Sequence, residues 1–443
     1  MAGMNNINER YFILTYGCQM NVFDSEVISG HLEGMGFMPA ENEEEADVLV
    51  INTCAVRKKA EDKVLSKLGK LKFLKEQKST MTIVLWGCMA QQENIAKRVR
   101  ERYGFIDLVG GTHSLGRFPE LLEKARVSRR VVVDIDTVGE REDLPIRRGH
   151  SFKAWIPISY GCNNYCTYCI VPHVRGPEKS RPPQSIIDEV KALAANGYKE
   201  ITLLGQNVNS YGKDLKEEVD FADLLKSLDS LDGLVHIRYM TSHPRDFNEK
   251  VIRTIQEGEK ICEHFHLPIQ SGSDKVLKLM NRGYTREYYL ELIHNIKGIM
   301  DNFSITSDFI VGFPGEEEKD FEDTIDLMKE VEFDAAYTFI YSPREGTEAL
   351  KMDGQIEPDV KKKRILTLNQ IQGNISLEKN RQLLGTKQEV LVEGRSKTNP
   401  EKYTGRTRTN KIVHFFSNEN LLGMLVNVKI IEAKSWTLTG EYK

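Results

Sequence analysis

Cys162, Cys166 and Cys169 stand within eight residues of one another in this 443-residue chain. Thiolates are soft ligands that suit iron–sulfur clusters or zinc. A structural zinc site usually takes four ligands, and no fourth cysteine or paired histidine lies near this segment except His173. Three thiolates on a four-iron cluster leave one iron open for a small molecule. The spacing therefore predicts an iron–sulfur site with an open iron, and zinc is the alternative.

Three further cysteines, Cys18, Cys54 and Cys88, each follow a predicted strand. In a parallel sheet these positions share one carboxyl edge, where such folds place their ligands. Each also precedes a helix start, whose free N–H groups favour a thiolate. A single cysteine of this kind is more often a small core residue, but three at matched positions predict a second cluster with one open iron. Cys262 lacks such a context and is interpreted as structural.

The elements that position the first cysteines alternate between strand and helix over residues 10–138. This alternation predicts a mostly parallel, doubly wound sheet. Asp24 or Ser25 is expected to cap the first helix, which would run to Gly36. Strands are predicted at 11–16, 48–52, 83–86 and 106–109, and two further helices at 58–75 and 93–103.

A charged stretch with proline and glycine, 139–149, is the predicted linker to a central domain at 150–378. Six strand–helix units are too few for a closed eight-stranded barrel, so we predict a partial, open (β/α)6 barrel. Its functional face should lie where the strands end. The strands are predicted at 155–160, 201–205, 235–240, 264–269, 304–311 and 335–341.

The last segment, 381–443, has five β-branched or alternating runs separated by glycines, which predicts a small antiparallel barrel. It carries 11 Lys and Arg against 6 Asp and Glu, whereas the whole chain has a net charge of −4. A basic tail on an acidic body indicates a polyanionic partner, and a solvated charged face is the alternative. Tyr403, Phe415 and Phe416 lie among its cations and, where exposed, could stack on RNA bases, although at least one of the two phenylalanines is expected to be core. The candidate phosphate-binding cations are Arg395, Lys397, Arg406, Arg408 and Lys411.

The composition, with 40% hydrophobic and 28% charged residues, is typical of a soluble globular protein. The alternation of strands and helices predicts an α/β fold class. No apolar run approaches the roughly 20 residues needed to cross a bilayer. The N-terminus lacks the apolar core of a secretory signal, so a cytoplasmic location without membrane contact is expected. Seven cysteines, an odd number, argue against a disulfide framework and for metal or redox chemistry.

Several motifs resemble those of one family, the radical methylthiotransferases. The Cys-x-x-x-Cys-x-x-Cys spacing at 162–169 is the hallmark of the radical S-adenosylmethionine superfamily. The segment 381–443 resembles the TRAM domain of the same family. His173 is a departure, because relatives often carry a tyrosine there. The matching segments are 15–21, 52–57, 87–91, 174–176, 180–181, 204–208, 267–273, 308–316, 392–394 and 404–407.

The resemblance implies two 4Fe–4S clusters and S-adenosylmethionine as cofactors. One cluster, on Cys162, Cys166 and Cys169, would cleave S-adenosylmethionine to a 5′-deoxyadenosyl radical. The other would deliver sulfur carrying a methyl group from a second S-adenosylmethionine. All six cysteines would thus be both metal ligands and catalytic residues. An aromatic C–H resists acid–base chemistry, which explains why such cofactors are needed.

Residues near the cofactor are also candidates. Gln206 and Asn207 follow one barrel strand, and Gln270, Ser271 and Gly272 follow another. They could bind the carboxylate or ribose of S-adenosylmethionine, or equally could cap helices and satisfy loops. The resemblance also implies an electron donor such as flavodoxin or ferredoxin.

The substrate implied by the resemblance is the anticodon stem-loop of tRNA, at N6-isopentenyladenosine in position 37. One rival is an aspartate of a ribosomal small-subunit protein, for which an acidic tail would be expected. A second rival is threonylcarbamoyl-adenosine in tRNA, whose enzymes usually have a residue other than Arg57 after Asn-Thr-Cys. A third is an RNA-binding protein that keeps clusters only for structure, which two open-site triads disfavour.

Overall fold

The computed structural model describes residues 8–56, 58–136, 139 and 143–442, and at 58–62 and 65 only the backbone. The chain divides into two compact units. The first comprises the residues up to Ser151 together with Tyr160–Asn163 and Cys169–Lys179. The second comprises Phe152–Ser159, Asn164–Tyr168 and the residues from Ser180 onward.

The first unit is built on a sheet whose described strands are all parallel, in the order β2-β1-β3-β4-β5-β6. The order runs outward in both directions from β1, as in doubly wound folds, so the predicted parallel sheet is confirmed. Two short strands, β2 and β6, escaped prediction. The strands are β1 (Arg10–Thr15), β2 (Met38–Pro39), β3 (Val48–Thr53), β4 (Thr82–Gly87), β5 (Leu108–Gly110) and β6 (Val132–Asp134).

The first helix begins earlier than its sequence indicates. Its N-cap is Cys18, whose backbone N–H donates to Oδ1 of Asn21. The expected cap at Asp24 or Ser25 is therefore wrong: both are buried inside the helix, where their polar atoms serve other partners. The helices of this unit are α1 (Gln19–Gly34), α2 (Lys58–Gln77), α3 (Glu93–Arg102) and α4 (Phe118–Val127).

The described part of the predicted linker, 143–149, packs along α1. The backbone N–H of Arg147 donates to the carbonyl oxygen of Glu26 over 3.0 Å, and that of Gly149 donates to its carboxylate over 2.9 Å. Gly30 faces the carbonyl oxygen of Pro145, where a Cβ would stand only 2.4 Å away. A side chain at position 30 would thus displace this segment.

The second unit contains six parallel strands that form an open array among the described residues. β7, β10 and β11 pair in one sheet and β12, β13 and β14 in another, and a parallel bridge between Ile237 and Ile261 connects them. The predicted six-stranded partial barrel is confirmed. Its strands are β7 (Lys153–Pro157), β10 (Glu200–Leu204), β11 (His236–Met240), β12 (His264–His266), β13 (Ser304–Val311) and β14 (Ala335–Ile340), and the two-residue strands β8 (Ser159–Tyr160) and β9 (Lys179–Ser180) lie between the first two in the chain.

Helices between these strands bury the outer apolar face of the array in one large core. Phe265, Phe309 and Phe333 lie fully inside it. The helices of the second unit are α6 (Pro183–Ala195), α7 (Phe221–Asp229), α8 (Glu249–Glu257), α9 (Asp274–Leu279), α10 (Arg286–Ile299), α11 (Glu318–Val331) and α12 (Pro358–Arg381), whereas α5 (Val171–Arg175) belongs to the first unit.

The C-terminal strands close into a small barrel in the order β15-β16-β17-β19-β18. Four of its pairings are antiparallel, but β17 and β19 pair in parallel, so the expectation of a wholly antiparallel barrel is corrected. Phe415 and Tyr403 are core residues, whereas Phe416 is exposed. The strands are β15 (Lys387–Arg395), β16 (Lys402–Arg406), β17 (Ile412–Phe416), β18 (Leu425–Ala433) and β19 (Thr437–Tyr442).

Across the described residues, none of the helices combines the length and the apolar character that membrane crossing requires.

Candidate functional site

Cys18, Cys54 and Cys88 lie at the carboxyl edge of the first unit's sheet. Thr15 pairs with Asn52 at the ends of β1 and β3, and Thr53 pairs with Gly87 at the ends of β3 and β4. The three cysteines follow these strand ends by one to three residues. The edge between β1 and β3 is the point where the strand order reverses, which is where doubly wound folds bind ligands.

The three thiols come together in space. A Cβ on Gly17 would lie 2.9 Å from Cβ of Cys54, so the loop carrying Cys18 passes directly over Cys54. Burial raises the pKa of the Cys88 thiol to about 11; Arg175 opposes this rise, and the nearby charges of Cys18 and Cys54 add to it. All three cysteines are free of disulfides. Their assignment as the ligands of a second cluster stays a prediction of the sequence.

Glycine is required where the chain turns into Cys88. Gly87 has φ of +95°, and a Cβ there would lie 2.4 Å from Oδ1 of Asn52. The side-chain amides of Asn21 and Asn52 are buried and connect the loops at this edge. Nδ2 of Asn21 donates to Oδ1 of Asn52 and to the carbonyl oxygen of Thr53. Nδ2 of Asn52 donates in return to the carbonyl oxygen of Asn21. The loops bearing Cys18, Cys54 and Cys88 are thereby fixed to one another.

A buried cation adjoins this edge. Nε of Arg175 donates to Sγ of Cys88 over 3.2 Å, and its Nη2 donates to Asp24 over 2.9 Å. Burial opposes the charged guanidinium, but the charges of Cys88, Asp24 and Cys18 outweigh it and raise the pKa of Arg175. Ile170 and Val174 of the same segment pack with Ala55 and Cys88. A permanent positive charge thus stands beside the thiols.

These groups suit an iron–sulfur cluster better than a single ion. No three His, Cys, Asp or Glu side chains in the described ranges are grouped to hold one metal ion. A cluster differs in that each thiolate binds its own iron, so its ligands stand further apart than those of one ion. Two of the sulfurs already accept hydrogen bonds. The backbone N–H of Val56 donates to Sγ of Cys54 over 3.4 Å, and Nε of Arg175 donates to Sγ of Cys88. Hydrogen bonds and charge of this kind tune protein-bound clusters.

The second cysteine loop opens at Gly161, in the first unit. This glycine has φ of +68°, and a Cβ would stand 2.0 Å from the carbonyl oxygen of Pro177. The backbone N–H of Cys162 donates to the carbonyl oxygen of Gly176 over 3.1 Å. The chain therefore folds back so that residues 176–177 brace the residue before the first thiol.

Cys166, in the second unit, has its own buried arginine. Nη1 of Arg282 lies 3.4 Å from Sγ of Cys166, and Nη2 donates to the carbonyl oxygen of Pro268 over 2.7 Å. Burial again opposes the charge, while Tyr168, Tyr284 and Cys166 raise the pKa of Arg282 well above its ordinary value. Each group of thiols thus has one guanidinium against one sulfur.

The predicted S-adenosylmethionine contacts after β10 divide into two kinds. Asn207 is buried and fully engaged: it donates to Asp246 over 2.7 Å and accepts from the backbone N–H of His243 over 3.0 Å. Gln206 is half-buried and makes no hydrogen bond within the part of the chain the structure describes. Gln206 is therefore the better placed of the two for a ligand.

The three predicted contacts after β12 also differ. The backbone of Gln270 bridges to β13 through Asp308 and Ile310 at 2.9 Å each, while its side chain has no hydrogen bond to a described residue. Ser271 and Gly272 instead hydrogen-bond to Oγ1 of Thr324. The contacts of Ser271 and Gly272 hold the loop to α11. Gln270 is therefore the one of the three whose side chain is available to bind S-adenosylmethionine.

The predicted RNA-binding cations are not equally available. Arg395 and Lys397 are exposed, and the guanidinium of Arg395 lies 3.8 Å from the ring centroid of Tyr403. Arg406 is one-third exposed and contacts Glu393 and Asn410. Arg395 and Lys397 are therefore exposed on the barrel surface, whereas Arg406 already has partners.

Arg408 and Lys411 are engaged inside the second unit. Arg408 forms a bidentate pair with Glu263 and also donates to the carbonyl oxygens of Glu259 and Ile261. Lys411 pairs with Asp334 over 2.6 Å. Both cations fasten the C-terminal barrel to the strand array, a use that their sequence pattern does not reveal.

Sequence reasoning missed Arg175 and Arg282 as parts of the site. Arg175 was noticed only as part of a matching motif, and Arg282 not at all. The signal available was weak: an arginine six residues after Cys169, and one at a distance of 116 residues from Cys166. Only the fold brings the second into contact.

Family models match three segments of the chain. Residues 156–328 match the Radical SAM superfamily, residues 10–111 match the Uncharacterized protein family UPF0004, and residues 381–443 match the TRAM domain. Among solved structures, the radical S-adenosylmethionine methyltransferase TsrM from Kitasatospora setae superposes with a TM-score of 0.54 at 13% identity, covering 86% of this chain and 80% of that one. The cobalamin-dependent radical enzyme OxsB gives a TM-score of 0.53 at 13% identity, covering 83% and 56%. The fold and the cysteine loop thus define a radical S-adenosylmethionine enzyme.

Relatives with curated names are much more similar. The tRNA-2-methylthio-N(6)-dimethylallyladenosine synthase of Thermoanaerobacter pseudethanolicus is 54% identical over 98% of this chain and 93% of its own length. Those of Natranaerobius thermophilus and Moorella thermoacetica are 52% and 49% identical, over 98% and 99% of this chain and 96% and 99% of theirs. The chain belongs to the tRNA-2-methylthio-N(6)-dimethylallyladenosine synthase family, and it is a transferase whose class uses a 4Fe–4S cluster and S-adenosylmethionine.

Proposed function

We propose that this enzyme converts N6-isopentenyladenosine at position 37, beside the tRNA anticodon, to its 2-methylthio derivative. The observation that carries the proposal is full-length similarity: relatives of that name are 49–54% identical over 98–99% of the chain. We place the methylthiotransferase domain at 10–138, the radical S-adenosylmethionine domain at 150–378 and the RNA-binding TRAM domain at 381–443. The polyanion expected from the basic tail is the anticodon stem-loop.

Two four-iron clusters are part of this proposal. Cys162, Cys166 and Cys169 would hold one, and the three strand-end thiols, Cys18, Cys54 and Cys88, would hold the other. When bound, such groups supply an electron that cleaves S-adenosylmethionine at one site and the sulfur to be inserted at the other. Three protein ligands at each site leave one position open to a reactant.

The chain's own residues then place charge beside the thiols and offer groups that can bind S-adenosylmethionine. Arg175 and Arg282 place a buried cation against each group of thiols, which favours the thiolate form that binds iron. Gln206 and Gln270 offer free amides for the carboxylate or ribose of S-adenosylmethionine. Both lie after strands of the array, on the edge where its functional face is expected.

Two features of the cellular setting belong to the same proposal. The enzyme works in the cytoplasm, where tRNA is modified, and draws electrons from a donor such as flavodoxin or ferredoxin. Two of the predicted cations, Arg395 and Lys397, are exposed on the barrel and accessible for RNA phosphates.

The closest alternatives are methylthiolation of an aspartate on a ribosomal small-subunit protein, and of threonylcarbamoyl-adenosine in tRNA. Arg57, on which the sequence argument against the second rests, lies outside the described residues. Mass spectrometry of digested bulk tRNA from cells lacking this protein separates the three. Loss of the methylthio group from isopentenyladenosine is expected. Its persistence, with an altered ribosomal protein or threonylcarbamoyl-adenosine instead, would replace the proposed substrate.

The number of clusters has a separate test. Anaerobically reconstituted protein should hold about eight irons, as two four-iron clusters require. A variant lacking Cys18, Cys54 and Cys88 should hold about half as many. Four irons in the unaltered protein would remove the second site from the proposal.

A further inference from the structure

Large aromatic side chains are exposed where β14 approaches the C-terminal barrel. Tyr337 on β14 is 48% exposed, and Trp436, in the turn before β19, is 57% exposed. Their ring centroids are 6.4 Å apart and their planes are tilted by 33°. Phe339, two residues further along β14, is also exposed. Soluble proteins rarely leave such rings together at the surface without a partner for them.

The rings are held in place rather than left loose. Nδ2 of Asn380 donates to the carbonyl oxygens of Lys434 and Ser435, and Oγ of Ser435 donates to the carbonyl oxygen of Gly373. These bonds fasten the turn that carries Trp436 to α12. The ring of Tyr337 meets that of His266 edge to face at 6.2 Å. A surface fixed in this way loses little entropy when a ligand binds.

Charged groups beside the rings already have partners. Lys411 pairs with Asp334, and Arg406 contacts Glu393 and Asn410. The groove that contains Tyr337 and Trp436 is also lined by Asp334, Arg406, Asn410 and Lys411. Because each charged group of the groove is already paired, the groove suits a flat, neutral group better than a phosphate or an acidic peptide. A nucleobase is such a group, and every base offers a π-face for stacking.

We propose that Trp436 and Tyr337 form a stacking site for one unpaired base of the RNA substrate. The identity of the ligand as RNA rests on the proposed function. An unpaired base is expected because enzymes that modify bases must draw the target out of its stack, which leaves neighbouring bases unstacked. The site would complement the exposed cations of the barrel: Arg395 and Lys397 contact phosphates, and the rings hold a base.

The test is RNA affinity of the full chain for the tRNA anticodon stem-loop, measured at several salt concentrations. Trp436→Ala should weaken binding about tenfold, within the range known for stacked bases. The slope of log affinity against log salt should not change, because no phosphate contact is lost. Trp436→Phe keeps a π-face and should retain most of the affinity.

Phe73→Ala provides a matched control, because Phe73 is an aromatic side chain 59% exposed on α2, where no RNA contact is proposed. This control should bind RNA like the unaltered chain. Equal losses in Trp436→Ala and Phe73→Ala, or no loss in either, would overturn the stacking site while leaving the proposed function standing. Failure of the unaltered chain to bind the stem-loop would instead overturn the RNA substrate, and the stacking site with it.

Discussion

Nε of Arg175 donates to Sγ of Cys88 over 3.2 Å, and both residues are only 3% exposed. The same guanidinium donates to Asp24, which is buried in α1. Its third nitrogen, Nη1, is buried without a hydrogen bond to any residue that the structure describes. Burying an arginine is costly unless opposite charge compensates it. Thiolates and a bound anionic cluster would provide more of that charge than Asp24 alone.

Arg175→Gln should therefore lower the reduction potential of a cluster held at Cys18, Cys54 and Cys88. Removing the adjacent positive charge disfavours the reduced, more negative state. The measurement is a redox titration followed by electron paramagnetic resonance, in a background where Cys162, Cys166 and Cys169 are alanine so that one site is loaded. Arg175→Lys, which keeps the charge, should restore part of the potential. An unchanged potential in Arg175→Gln would contradict the assignment.

Arg282 should affect the cluster at Cys162, Cys166 and Cys169 in the same way as Arg175 affects the other cluster. Its Nη1 lies 3.4 Å from Sγ of Cys166. Arg282→Gln should lower the potential of the cluster at Cys162, Cys166 and Cys169, measured in a background that lacks the three strand-end cysteines. The same substitution should leave the other cluster's potential unchanged. If either arginine shifted both potentials equally, the effect would be one of general folding rather than of local charge.

Much of the fold could be predicted because its signals are local. Strand–helix alternation, hydrophobic periods and glycines between β-runs indicated the parallel sheet, the six-stranded array and the small barrel. The start of α1 could not be predicted in this way. Asp24 and Ser25 look like caps in the sequence, but their polarity serves Arg175 and Asn52 in the folded protein.

The parts of the candidate site that lie at strand ends could be predicted from the sequence. The parts that depend on contacts between residues far apart in the sequence could not. Topology brings Cys18, Cys54 and Cys88 to one edge, so their spacing was informative. Arg408 lies in a cation-rich stretch of the sequence and was expected to contact RNA, yet its partner is Glu263, 145 residues away. Such pairs carry no periodic signal in one sequence.

Cys166→Ala should abolish formation of 5′-deoxyadenosine from S-adenosylmethionine, because a cluster lacking this ligand would lose the geometry that leaves one iron open. The product is measured by chromatography after chemical reduction of the reconstituted protein. Cys262→Ala is a suitable control: Cys262 is also buried, and burial raises its pKa to about 12, but it lies among Arg238 and Glu200 rather than beside another cysteine. Continued product from Cys166→Ala would remove Cys166 from the ligand set.

Lys397 and Arg408 should respond differently to neutralisation. Lys397→Gln, at an exposed position, should weaken RNA binding and reduce the salt slope by about 1 if it contacts a phosphate. Arg408→Gln leaves Glu263 without its bidentate partner, so we expect the free energy of unfolding to fall by about 1–2 kcal/mol, because the pair is only partly buried. The salt slope, measured where Arg408→Gln is still folded, should stay unchanged. A reduced slope in this variant would return Arg408 to the RNA interface.

Acid should weaken the link between β10 and the barrel through Glu200. Burial alone would raise the pKa of this carboxyl, but Arg238 at 2.6 Å and His236 outweigh it and lower the pKa from 4.5 to about 2. Arg238 in turn donates to the carbonyl oxygen of Thr407, so the pair joins the strand array to the barrel. Because the folded pKa is depressed, the carboxylate's stabilisation is complete above pH 4.5 and is lost as pH falls towards 2. It amounts to about 3 kcal/mol at neutral pH and about half of that at pH 3.

The difference in free energy of unfolding between the unaltered chain and Glu200→Gln, measured by urea denaturation at several pH values, should shrink accordingly. A difference that stayed constant from pH 7 to pH 3 would mean that Glu200 titrates normally and that the link does not depend on its charge.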